Sequence, residues 1–143
     1  MNVETILRGK GRGVVTIRPG ETVAAALQVL RDRNIGALVV SDDGASVDGI
    51  ISERDVAYGL ADHGSALLSF SVGEAMTRRV ATCAPSDSAA ELMAKMTNRR
   101  IRHLPVVDDG SLVGIVSIGD LVKSRLDEIE DEARSLRSFI ASA

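Results

Sequence analysis

Two seven-residue segments carry the side chains best suited to chemistry in this chain. Gly49-Ile50-Ile51-Ser52-Glu53-Arg54-Asp55 and Gly114-Ile115-Val116-Ser117-Ile118-Gly119-Asp120 share the pattern Gly-h-h-Ser-x-x-Asp, where h is aliphatic. A serine followed three residues later by an acid at a helix start is the pattern of a capping box, in which hydroxyl and carboxylate satisfy backbone N–H groups. That reading needs no ligand. The same groups also suit a nucleotide. The glycine leaves the backbone open at a strand end, the helix N-terminus offers free N–H groups and a positive dipole to phosphate, and the aspartate can accept hydrogen bonds from paired ribose hydroxyls. The local pattern leaves both readings open.

Behind the two segments stands a duplication. Residues 14–44 align with 80–110 at a constant offset of 66, and the match resumes at offset 65 from Gly49 and Gly114 onward. A repeat of this length is one supersecondary unit used twice, and neither copy need bury its apolar face alone. Each copy has the same order of elements. Val14–Ile17 and Val80–Cys83 read as short strands closed by Pro19 and Pro85. Val23, Leu27 and Leu30, like Ala89, Leu92, Met93 and Met96, recur at helical spacing. Apolar runs 35–41 and 101–107 follow, then Asp42-Asp43-Gly44 and Asp108-Asp109-Gly110, a hairpin signal. A third strand, 47–52 or 112–117, leads into a second helix. Each copy is therefore strand, helix, strand, strand, helix, and a function is expected between the copies.

Composition excludes several classes. A chain of 143 residues can form one compact unit burying roughly 70% of its unfolded surface. Aromatics are only 2% with no Trp, so the core is aliphatic and stacking platforms for nucleic acid are essentially absent. A net charge of -3 argues against general binding to DNA or anionic lipid. A single cysteine, Cys83, excludes an internal disulfide, and its place in a strand suits a small buried hydrophobe. No signal-peptide core or membrane-length apolar run is present, and a cytoplasmic protein is expected. No nucleophile–base pair, metal cluster or P-loop lysine pattern is legible, so catalysis is not expected.

Residues 61–77 join the copies and contain Leu67, Leu68, Phe70 and Met76, which predicts a packed connection rather than a free linker. Leu126, Ile129, Ala133, Leu136 and Ile140 then alternate by three and four, an a/d seam flanked by charge. That helix either lies on its own domain or pairs across a dimer. Dull alternatives stand for the cations: Arg99, Arg100 and Arg102 can be a solvated helix end, His103 a structural histidine, and His63 a surface residue.

The duplicated unit, the two signatures, and Ile101-Arg102-His103-Leu104-Pro105-Val106-Val107 together resemble a tandem pair of cystathionine β-synthase (CBS) domains, also called a Bateman module. The likeness covers residues 8–125. It implies an α+β fold of two pseudo-symmetric β-α-β-β-α units packed face to face, plus a C-terminal helix. The first unit would span 1–66 (repeat core 14–60), the second 67–125 (repeat core 80–125) and the helix 126–143. It further implies two clefts for adenosine-containing ligands (AMP, ADP, ATP, S-adenosylmethionine or a dinucleotide), none of them an obligatory cofactor. By the same resemblance Asp55 and Asp120 take ribose hydroxyls, Ser52 and Ser117 help hold phosphate, and Thr16, Ala37, Thr82 and Pro105 line adenine pockets. Arg102 stands where the family often contacts phosphate across the cleft, and His103 follows it.

The copies differ at that point. Arg102, His103 and Pro105 align with Gly36, Ala37 and Val39, while Arg54 aligns with Gly119. Phosphates of a ligand at Asp55 are therefore expected to meet Arg54, Arg102 and His103, and the Asp120 cleft is expected to be poorer in positive charge. The implied role is a regulatory module, homodimeric, passing its signal to a separate enzyme or transporter. The alternative is a scaffold with vestigial clefts.

Overall fold

A computed structural model describes residues 1–11 and 13–142. Helix α1 (Val3–Lys10) opens the chain and strand β1 (Thr16–Ile17) follows. Then come α2 (Val23–Arg33), β2 (Ala37–Val40), β3 (Gly49–Ser52) and α3 (Glu53–His63). A 3-10 turn (Gly64–Ser69) and the short α4 (Val72–Ala75) lead into the second copy, α5 (Ala89–Arg99), β4 (His103–Asp108), β5 (Ser111–Ser117) and α6 (Ile118–Ser142). The caps follow local chemistry. Thr22 and Ser88 accept from the third amide of α2 and α5, and both helices end on a left-handed residue, Asn34 and Arg100.

The first copy forms a three-stranded sheet in the order β1-β2-β3, with β1 parallel and β3 antiparallel to β2. In the second copy β4 and β5 pair antiparallel, and the expected strand at 80–83 shrinks to one rung. The Cys83 amide donates to Pro105 at 3.0 Å, the Val107 amide donates back at 2.8 Å, and the Asp87 carboxylate then turns the chain by accepting from the Ala84 amide. The Asp-Gly signal is realised in two ways. Asp109 and Gly110, both at positive φ, make a two-residue turn between β4 and β5. In the first copy the loop is wider, because the Asp43 carboxylate gathers the Ala45 and Ser46 amides and the Ser46 hydroxyl.

Two aliphatic cores form, and their membership crosses the repeat. Val3, Ile6 and Leu7 of α1 are buried with Cys83, Leu92, Met96, Leu104, Val116 and Leu121 of the second copy. Leu67 and Val72, from the connection, are buried with Ile17, Val23, Leu38, Ile51 and Val56 of the first. The exchange is symmetric down to its hydrogen bonds. Val3 donates to Asp87 and Glu4 to Pro85, while Val72 donates to Glu21 and Gly73 to Pro19. Each full side chain so buried contributes about 1.5–3 kcal/mol.

This exchange explains the two glycines that lead the signatures. A β-carbon on Gly49 would lie 2.5 Å from Met76 Sδ and 2.7 Å from the Thr77 carbonyl oxygen, and one on Gly114 would lie 2.6 Å from Leu7 Cδ2. Both glycines make room for the exchanged segment. The expectation that they open the backbone to a ligand is corrected accordingly.

Candidate functional site

The two signatures fold first as capping boxes. Ser52 accepts from the Asp55 amide at 3.4 Å, and Asp55 Oδ2 accepts from the Ser52 amide at 2.9 Å and the Ser52 hydroxyl at 3.1 Å. Ser117 and Asp120 repeat the box at 3.1 and 2.9 Å. The first helical amide is engaged as well: Glu53 donates to the Gly36 carbonyl at 3.1 Å and Ile118 to the Arg102 carbonyl at 2.8 Å. The anticipated free N–H groups at these helix starts are therefore already in use at the first and third positions.

Above the first box lies a cleft of about 330 Å³ built by both copies. The first copy supplies Gly36, Ser52, Arg54 and Asp55, the second Ile101, Arg102, His103, Ser117 and Ile118, and the connection adds Thr77. Six residues singled out in the sequence thus come together: Ser52, Arg54, Asp55, Arg102, His103 and Ser117. Arg54 is anchored across the boundary, its Nη1 donating to the Arg100 carbonyl at 2.6 Å. That carbonyl belongs to the left-handed residue closing α5, so one guanidinium satisfies a helix end while staying at the cleft rim.

His103 is half-buried against the other copy. The imidazole lies over Gly36, where a β-carbon would sit 3.4 Å from its Cε1 and from Glu53 Oε1, an ordinary contact. Burial, with the charges of Arg102 and Lys10, pushes the imidazole below its usual value against the opposing pull of Glu53 and Asp120. That shift favours the neutral imidazole, which carries one N–H donor and one acceptor nitrogen.

The two aspartates have unlike partners. Asp55 Oδ1 accepts from the Thr77 hydroxyl at 2.9 Å, a neutral donor. Asp120 Oδ2 accepts from Lys10 Nζ at 2.7 Å, and the same ammonium donates to the Ile115 carbonyl at 2.9 Å. Burial pushes the Asp120 carboxyl up, but Lys10 and the Ser117 amide outweigh it and hold it below the usual range. The expectation that the Asp120 side is poor in positive charge is thereby corrected: α1 of the exchange delivers a lysine that the repeat alignment does not contain. Asp120 and Lys10, with Thr5, Gly9 and Lys123, line a separate depression of about 320 Å³.

The remaining candidates lie elsewhere. Thr16 borders a shallow depression with Arg18, Glu21 and Ser41 to Gly44. Ala37 is buried and pairs with Ser52 in the sheet, Pro105 is buried opposite Ile115, and the Thr82 carbonyl accepts from Lys95 Nζ at 3.1 Å. None of these four is among the described residues lining the Asp55 cleft. Cys83 is buried, its thiol pushed up to about 12 mainly by that burial. His63 packs on Phe70 with ring centroids 4.8 Å apart. Thr77, Lys10 and Gly36 were not singled out from the sequence as site residues. A faint signal existed for the first two, since Asn2-Val3 and Ser71-Val72 are matching cap-and-anchor pairs, but at an offset of 69 rather than 66.

A CBS domain model matches residues 11–62 and again 72–127. The mitochondrial CBS domain-containing protein CBSX3 of Arabidopsis thaliana is 32% identical over 96% of this chain and 71% of its own length. Among solved structures, the CBS-domain protein ATU1752 from Agrobacterium tumefaciens is 44% identical, with a TM-score of 0.84 over 87% of this chain and 99% of that one. The CBS domain pair of MJ0100, solved with 5′-methylthioadenosine and S-adenosylmethionine, is 30% identical with a TM-score of 0.77, covering 91% of this chain and 98% of that one.

Proposed function

The chain belongs to the CBS domain family as a tandem pair, and from that premise we infer that it is a regulatory module that takes an adenosine-containing ligand in the Asp55 cleft. The observation that supports this most is the make-up of that cleft. The Asp55 carboxylate of one copy shares with His103 and Arg102 of the other a space of about 330 Å³, within the range of small-molecule sites. A ligand there touches both copies and so shifts the balance between their arrangements by its differential affinity. The MJ0100 pair, similar over most of its length, carries adenosine ligands. In this reading Asp55 takes the ribose hydroxyls, and Arg54 and Arg102 meet phosphate. Ser52 is mainly structural, because its hydroxyl is committed to the box. The output passes to a separate effector, and the working form is a homodimer in the cytoplasm.

A second reading, a scaffold with vestigial clefts, draws on one observation: both signature carboxylates are satisfied internally, Asp120 by a lysine. A thermal-shift panel of AMP, ADP, ATP, S-adenosylmethionine and 5′-methylthioadenosine separates the two. A ligand at one hundred times its Kd stabilises the fold by about 2.7 kcal/mol. The absence of any shift at millimolar ligand would favour the scaffold.

A further inference from the structure

The seam allows the terminal helix either to lie on its own domain or to pair across a dimer, and in the fold it stays with its own domain only as far as Glu128, which meets the Met1 ammonium at 3.0 Å. α6 is one unbroken helix whose buried residues, Leu121 and Ser124, both fall in its first two turns. From Ile129 to Ser142 every residue is exposed except the half-buried Ala133. The outer half of α6 therefore gains no tertiary packing from the described residues of its own chain, and its apolar side chains stay in water unless a partner covers them.

The apolar stripe is longer than the sequence seam suggested. Val122, Leu126, Ile129, Leu136 and Ile140 are between 42% and 65% exposed, and with Ala133 they form six consecutive layers at alternating steps of four and three. Leu126, Ala133 and Ile140 occupy one heptad position; Val122, Ile129 and Leu136 occupy the other. Five charged residues flank the stripe: Arg125 and Glu132 on one side, and Lys123, Glu130 and Arg137 on the other. Within the helix Arg134 already pairs with Asp131 at 3.3 Å on the outer face, and Arg125 with Glu128 at 3.0 Å, so Arg125 has to share its guanidinium or exchange partners on association.

We propose that this stripe is the seam of a parallel, in-register two-stranded coiled coil with a second copy of the same chain. The flanking charges choose both partner and direction. In a parallel pair each residue on the Arg125 side faces the partner residue five positions on, and Lys123 faces the partner's Ile118, which is uncharged. Arg125 then meets the partner's Glu130 and Glu132 meets the partner's Arg137, so every pairing of two charges is between opposite charges. An antiparallel pair covering all six layers sets Val122 against the partner's Ile140, and brings Glu130 and Glu132 each onto its own copy. The antiparallel register that joins Glu130 to Arg137 leaves Val122 and Leu126 uncovered. Only the parallel arrangement buries all six layers without like charges. This rests on the self-association proposed above and adds its surface, direction and register.

The full-length chain is measured by light scattering at micromolar concentration, with Leu136→Asp as the disrupting variant and circular dichroism to confirm that the body stays folded. The dimer should become a monomer. A cysteine at Ile140→Cys should then cross-link to itself under mild oxidation, since the parallel pair puts the two 140 positions side by side. In the antiparallel pair that covers all six layers, about 27 Å of helix separates them along the axis. Glu132→Arg and Arg137→Glu should each weaken the dimer roughly tenfold, and the double variant should restore it. A monomeric wild type would overturn self-association altogether. A dimer that survives Leu136→Asp, or an Ile140→Cys variant that fails to cross-link while dimeric, would overturn this surface or direction and leave self-association standing.

Discussion

Lys10 and Asp120 lie 110 residues apart in the chain and 2.7 Å apart in the fold. This pair exists because α1 crosses to the second copy, and it makes the two signature aspartates chemically unequal: Asp55 is met by a hydroxyl and Asp120 by a cation.

Lys10→Met should cost about 0.5 kcal/mol at pH 7, as expected for a partly exposed pair. Asp120 titrates below its unfolded value, so this contribution is present above about pH 4 and is lost as pH falls through the lowered folded value. Urea unfolding of wild type and variant at pH 7 and pH 3 should show a smaller gap at the second pH than at the first.

If the Asp55 cleft holds the phosphorylated ligand, Asp55→Asn should weaken ATP or AMP binding by tenfold or more in calorimetry, whereas Asp120→Asn should leave it within about threefold, because losing a hydrogen bond to a charged acceptor costs about 1.5–3 kcal/mol. Equal losses would contradict the inequality of the clefts.

Gly49→Ala should destabilise more than Gly114→Ala. At position 49 the added methyl meets a backbone carbonyl and a sulfur, while at 114 it meets the end of a flexible leucine. Overpacking of this kind costs about 1–3 kcal/mol, and the ordering is read from denaturant midpoints.

His103 should make the fold sensitive to mild acid. Its folded value lies below its unfolded one, so the unfolded chain binds the proton more readily and stability declines as pH drops below about 6.5. The groups around it, Arg102, Lys10, Glu53 and Asp120, set how far the decline runs. In His103→Gln the slope of stability between pH 7 and pH 5 should flatten, with the Asp120 slope below pH 4 unchanged.

Much of the site was legible in one dimension. The capping boxes and the antiparallel strand pairs follow from short-range chemistry, whereas the meeting of Arg102 and His103 with Asp55 was implied by the resemblance to the CBS family, whose paired units face one another. Thr77 and Lys10 were not legible, because both reach the site on segments that leave their own repeat to pack on the other. The three-residue change of offset before each first strand hides the correspondence of those two segments. Gly36 was seen only as a mismatch, when it is a residue of the first copy on which the His103 imidazole rests.

By itself the amino-acid order determined what local forces can decide: periodicity, caps, turns, the aliphatic make-up of the cores and the twofold use of one unit. Only the tertiary structure decided which helix covers which core, and with it which aspartate a lysine reaches. That choice depends on burying aliphatic surface between segments remote in the chain, a non-directional force that leaves no fixed spacing in the sequence.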